Sequence, residues 1–147
     1  MKKEKKIAGS CLCGAVEFEA TGPFLDFTYC HCGRCRKAVG STHSAHLFAD
    51  PKRFAWISGE KETTLFLHPQ AEDYPRRFCN RCGSPVPRLA RDGVRMAIPA
   101  GALDSDPGLR PTKNVFWSLR APWSRCRHGL PSYRARAPIL KRRLRPR

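Results

Sequence analysis

Hydrophobic and polar positions alternate with a period of two in several short stretches of this chain. In AVEFEA (15–20), Val16 and Phe18 point one way while Glu17 and Glu19 point the other. That alternation predicts a half-buried strand, and Thr21-Gly22-Pro23 ends it. FLDFTY (24–29) predicts a second strand that runs into a cysteine cluster, and RKAVG (36–40) after the cluster predicts one helical turn. AHLFA (45–49) and RFAWI (53–57) read as strands, and SGEKE (58–62) as a turn into TTLFLH (63–68). VRMAIPAG (94–101) is a further strand, followed by the turn-rich LDSDPG (103–108).

Thirteen prolines and eleven glycines cut the chain into short pieces, which favours strands over long helices. At 147 residues, with 41% apolar residues, the chain predicts one globular domain around one core. No repeat of solenoid length and no low-complexity linker divides it. The expected fold is therefore mainly β, a single domain of short strands held at cysteine-bearing turns. No apolar run approaches the roughly 18 residues of a membrane span. The opening MKKEKKIAGSCLCG is basic like a signal peptide, but no apolar stretch follows it. A cytoplasmic location is the expectation.

Charge adds an asymmetry. The formal net charge is +16, and the ends carry most of it. Residues 1–6 hold four lysines and one glutamate, and residues 125–147 hold nine Lys or Arg and no acid. A basic N-terminal segment (1–6), a folded domain (7–138) and a basic, disordered tail (139–147) are expected, because APILKRRLRPR has little to bury.

Eight cysteines carry the candidate chemistry. Seven fall in four groups: Cys11-x-Cys13, Cys30-x-Cys32, the overlapping Cys32-x-x-Cys35, and Cys79-x-x-Cys82. In a reducing compartment such spacing points to metal ligands rather than disulfides. On an extended strand, residues i and i+2 face one side, so C-x-C can offer two thiolates to one metal. C-x-x-C in a tight turn does the same, and Gly83 after Cys82 suits a turn needing positive φ. Seven divides as four plus three. Four cysteines make a closed structural site, whereas three leave a position for water or substrate. Spacing alone leaves the partition open: Cys11 and Cys13 could join Cys79 and Cys82, or the two C-x-x-C turns could join each other. One metal with three ordinary buried cysteines is a further alternative.

GSCLCGAVEFEATGP, CHCGRCRKAVGS, RRFCNRCGSPV, IPAGALDSDPGLRP and the closing APWSRC…GLPSY together resemble the glutathione-dependent formaldehyde-activating enzyme family, which also includes centromere protein V. The resemblance spans about residues 9–138. It implies a zinc-binding β-tent fold of coiled antiparallel sheets. It implies two Zn2+ per chain: a structural zinc on Cys11, Cys13, Cys79 and Cys82, and a catalytic zinc on Cys30, Cys32 and Cys35. It also implies a carbon–sulfur lyase reaction, the formation of S-hydroxymethylglutathione from glutathione and formaldehyde. Three thiolates would nearly neutralise zinc's Lewis acidity, so positioning the thiol is the expected role rather than strong carbonyl polarisation. Arg34, Arg36 and Lys37 stand beside the cluster to meet the two carboxylates of glutathione, against the plainer reading of a solvated basic face.

His31, between two cysteines on a strand, should point away from their metal. His43 and His46 should lie on opposite faces. Cys126, between Arg125 and Arg127, reads as a free thiol of lowered pKa, and Trp56, Trp117 and Trp123 as core or pocket wall. The alternative to an enzyme is a zinc binding module whose basic tail contacts nucleic acid or another anionic polymer without reading sequence. A purely structural zinc protein is the third reading.

Overall fold

A computed structural model of the chain describes residues 4–124. The expected tail 139–147 and Cys126 lie outside the described residues. Ten strands and one helix are arranged in chain order: β1 (Lys6–Ser10), β2 (Glu17–Thr21), β3 (Asp26–Cys30), α1 (Gly33–Val39), β4 (Ser44–Ala49), β5 (Phe54–Ser58), β6 (Thr63–His68), β7 (Ala71–Cys79), β8 (Arg88–Leu89), β9 (Met96–Pro99) and β10 (Lys113–Val115). They form three sheets: β1-β2-β5, β10-β3-β4-β9-β8, and the two-stranded ribbon β6-β7. Every pairing is antiparallel except that of β10 with β3. The fold is mainly β, as expected. No helix among the described residues is long and apolar enough to cross a membrane.

Alternation places the core between the first two sheets. Ile7, Phe18 and Ala20 meet Phe27, Leu47, Ala49, Met96 and Ile98, while Glu17 and Glu19 point outward. Phe18 is 1% exposed and packs on Phe54 and Trp56, with ring centroids 5.9 and 6.4 Å away. Burying such a side chain stabilises the fold by roughly 1.5–3 kcal/mol. Val16 is equally buried but belongs to a different cluster, with Cys11, Cys79 and Val86. Strand β2 therefore starts at Glu17 rather than Ala15: the backbone of Val16 is held by the Cys11 turn, whose amide donates to the Val16 carbonyl (3.0 Å).

The long strand β7 is the main departure from the predicted elements. AEDYPRRF does not alternate, and Pro75 argues against a strand interior. Its pairing with β6, which sets Phe66 opposite Arg76 and Leu67 opposite Pro75, makes the strand nonetheless. Of the tryptophans, Trp56 packs on the core as expected, but Trp117 and Trp123 are 50% and 69% exposed.

At Gly9, β1 lies close against its neighbour β2 and the turn at 100–102. A Cβ there would overlap the Phe18 ring and the Ala102 carbonyl oxygen, whereas one on Gly101 would meet nothing within 4 Å. Gly9→Ala is expected to destabilise the fold by about 1–3 kcal/mol through overpacking, and Gly101→Ala to change stability little. Urea denaturation of the two variants checks this. Equal midpoints would show that the Phe18 ring and the turn at Ala102 yield freely at Gly9.

Candidate metal centre and its cavity

Two turns build the four-cysteine group. Past β1 the chain folds back, with the Gly14 amide donating to the Cys11 carbonyl (3.0 Å) and the Val16 amide to Cys11 Sγ (3.3 Å). At the end of β7 the Cys79 amide donates to Ser84 O (3.0 Å) and the Gly83 amide to Cys79 O (2.8 Å). Gly83 has φ of 73°, the left-handed turn position that its place after Cys82 suggests. The two turns meet so that Cys11, Cys13, Cys79 and Cys82 hold their Sγ atoms within 4.8 Å of one another.

The second group is built on the junction of β3 and α1. Cys30 is the last residue of β3, Cys32 caps the helix by accepting from the Cys35 amide (3.4 Å), and Cys35 lies in its first turn. All three Sγ atoms again lie within 4.8 Å. The first C-x-C pair does not use the strand geometry expected of it, because Cys11 and Cys13 sit in a turn. Cys32 lies past the end of β3 but keeps an extended backbone (φ −63°, ψ 156°), so Cys30 and Cys32 do face one side.

The spacings suit a tetrahedral ion. Arms near 2.3 Å give a tetrahedron edge of about 3.8 Å. Cys11–Cys13, Cys13–Cys79 and Cys30–Cys32 lie at 3.5, 3.8 and 3.7 Å. Both donor sets are all-sulfur and compatible with zinc. The groups differ in what they face. Cys79 is fully buried and Cys11 nearly so, beside Val16 and Val86. Cys30, Cys32 and Cys35 all line a cavity of about 620 Å³.

Groups distant in sequence complete the three-cysteine site. Tyr74, on β7, donates its hydroxyl to Cys35 Sγ (3.3 Å) in a buried contact. The hydrogen bond from Cys30 lowers the Cys35 thiol to about 5, against its burial, with Ser44 and Tyr74 helping; Cys30 is pushed up in turn. Burial holds His46 down to about 4, and the nearby Arg88 and Arg76 add to this, so the imidazole lining the cavity is neutral. Burial likewise lowers Arg88, whose guanidinium faces Tyr74 and Cys35.

Arg34 lines the cavity with the cysteines. Lys37, one helical turn on, lines a neighbouring space of about 370 Å³ with Phe66 and Arg76, and Arg36 lines neither. A helix cannot present positions 34, 36 and 37 to one ligand. His31 points away from the cysteines: it is 5% exposed, and its Nε2 is 2.8 Å from Asn114 Oδ1, bridging the cluster to β10. His43 lies against Tyr29, with ring centroids 4.3 Å apart and planes tilted by 46°, while His46 reaches the cavity. Tyr74 and Arg88 were not legible as site residues. Each lies on a segment without periodicity and reaches the cysteines only through strand pairing.

The chain is also similar to known proteins. Residues 6–119 match the family model of the glutathione-dependent formaldehyde-activating enzyme. A Halomonas elongata protein, provisionally named for glutathione-dependent formaldehyde activation, is 33% identical over 109 residues, covering 68% of this chain and 67% of that protein. A crystal structure of a Rhodobacter sphaeroides protein superposes with a TM-score of 0.59 at 24% identity, over 73% of this chain and 98% of that one. The last likeness speaks to the fold alone.

The two cysteine groups should respond differently to substitution. The first joins turns whose cysteines are 66 positions apart. A structural zinc contributes on the order of 10 kcal/mol of apparent binding free energy, comparable to a whole domain's stability of about 5–15 kcal/mol. Cys79→Ser is expected to give unfolded or aggregating protein. Cys32→Ser should stay folded and lose one metal equivalent, because its group closes only a short loop. Metal analysis with circular dichroism decides this, and the opposite pattern would make the three-cysteine group the structural clamp.

Proposed function

This chain belongs to the glutathione-dependent formaldehyde-activating family, and from that membership we propose that it is a zinc-dependent carbon–sulfur lyase acting on a thiol–aldehyde adduct. The reference reaction is S-hydroxymethylglutathione formation from glutathione and formaldehyde. The observation that carries the reading is the contrast between the two cysteine groups: one joins two turns distant in sequence, with Cys11 and Cys79 buried beside Val16 and Val86 and Cys13 exposed at the surface, whereas all three cysteines of the other line a cavity edged by arginines. The first suits a structural zinc and the second a catalytic one. Cys30, Cys32 and Cys35 would hold the zinc, which when bound would supply an open coordination position and positive charge that favour the thiolate form of a thiol.

The chain's own residues supply the rest. Arg34 and Arg88 meet the carboxylates of the thiol; among the described residues neither has a carboxylate ion-pair partner. Tyr74 fixes Cys35 through its hydroxyl and so orients the three-sulfur set. Neutral His46 adds no charge to the cavity and leaves anion binding to the arginines. In the forward direction the thiol sulfur attacks the aldehyde carbon, a C–S bond forms, the S–H proton leaves, and the carbonyl oxygen takes up a proton to become a hydroxyl. Because thiol and formaldehyde combine unaided, the contribution of the site is holding and orienting the pair. The reading of a binding module with a basic tail rests on residues 125–147, outside the described residues.

Exchange spectroscopy on ¹³C-formaldehyde and glutathione tests the reading, since it reports adduct formation at equilibrium. The protein is expected to raise the exchange rate above the uncatalysed one, and Cys32→Ser to return it to that level. Arg88→Ala should raise KM about tenfold with little change in kcat, the signature of lost binding common to ground and transition states. An exchange rate identical with and without protein sinks the enzyme reading.

A further inference from the structure

The cavity above the three-cysteine group is more than an anion site. Its volume of about 620 Å³ falls among pockets that enclose drug-sized ligands, roughly 300–1,000 Å³. Part of its wall is apolar, formed by Ala97, Val115, Phe116 and Leu119, while the Phe48 ring lies under the Arg95 guanidinium, 4.4 Å from its centroid. At the mouth, Phe116 and Leu119 are 55% and 53% exposed, large apolar side chains held at the edge of a cavity rather than inside a core.

Phe116 is also the one non-glycine residue with positive φ among the described residues, at φ 54° and ψ 40°. An L-residue with a bulky side chain seldom adopts this conformation, and it persists where the surroundings enforce it, most often at ligand sites. The turn that carries Phe116 and Leu119 follows β10, which pairs in parallel with β3, the strand ending in Cys30. The apolar mouth is thereby fixed in register with the sulfurs.

Formaldehyde has no carbon beyond its carbonyl to occupy such a wall. Resting on the thiol–aldehyde reading above, we infer that the aldehyde component carries an apolar chain or ring, which packs against Val115, Phe116 and Leu119 while the thiol's carboxylates meet Arg34 and Arg88. The chemistry balances as before. The thiol S–H and the aldehyde C=O become a C–S bond and a C–OH, and no oxidant or reductant is needed.

Stable thioethers test this by binding rather than turnover. The protein as purified is titrated calorimetrically with S-methyl-, S-propyl- and S-hexylglutathione, and in parallel with S-alkyl thioglycolates of the same chain lengths. Kd is expected to tighten about fourfold for each added methylene, the factor for burying one CH₂. The Phe116→Ala, Leu119→Ala double variant should cut this to twofold or less. Both positions are half-exposed, so truncation leaves the core intact, which circular dichroism checks. A change of less than twofold from methyl to hexyl, or weaker binding of the longer chains, overturns the inference. Chain-length dependence in the thioglycolates without binding of the glutathione series would sustain it while removing glutathione as the thiol. Failure of both series to bind would sink it together with the reading it rests on.

Discussion

The convergence of two turns on four sulfurs is the constraint from which the rest of the architecture follows. The turn after β1 and the turn after β7 belong to different sheets, and few apolar contacts link those sheets otherwise: Val16 and Val86 are the buried residues packed with Cys11 and Cys79. With the turns joined, the β6-β7 ribbon is fixed relative to the three-stranded sheet. The contact of Arg77 with the Trp56 ring, 5.5 Å to the centroid, spans the same junction. A metal on these sulfurs would do the work that a small domain's core does incompletely.

That ribbon in turn completes the second site. Tyr74 lies on β7, five positions before Cys79, and its hydroxyl reaches Cys35 on α1. The two cysteine groups are thus coupled mechanically: β7 ends in a sulfur of the first and touches a sulfur of the second. From the other side, His31 and Asn114 bind the cluster to β10, and the His31 amide donates to Val115 O (3.0 Å). The three-cysteine group is held between two strands distant in sequence, so its sulfurs face the cavity without depending on their own short loop for orientation.

Electrostatics gives the cavity its polarity. Arg34 comes from α1 and Arg88 from β8, and burial lowers the Arg88 pKa. A guanidinium in a partly desolvated wall attracts an anion more strongly than one in water, because fewer solvent dipoles screen it. Guanidinium groups and apolar side chains thus share the lining of one cavity.

The sequence by itself determined the strand-rich single domain, the inward face of β2 and the cysteine turns, because alternation, Gly/Pro punctuation and ligand spacing are local properties. Motif resemblance supplied the partition of seven cysteines into four and three, which spacing left open. Tertiary structure alone decided that β7 is a strand despite Pro75, that Tyr74 and Arg88 belong to the site, and that Arg34 reaches the cavity while Arg36 does not. The reason is the range of the interactions. A turn or an amphipathic strand is encoded within a few residues. A hydroxyl 39 positions from its sulfur is placed by strand register and sheet packing, and neither leaves a mark on the residues beside it.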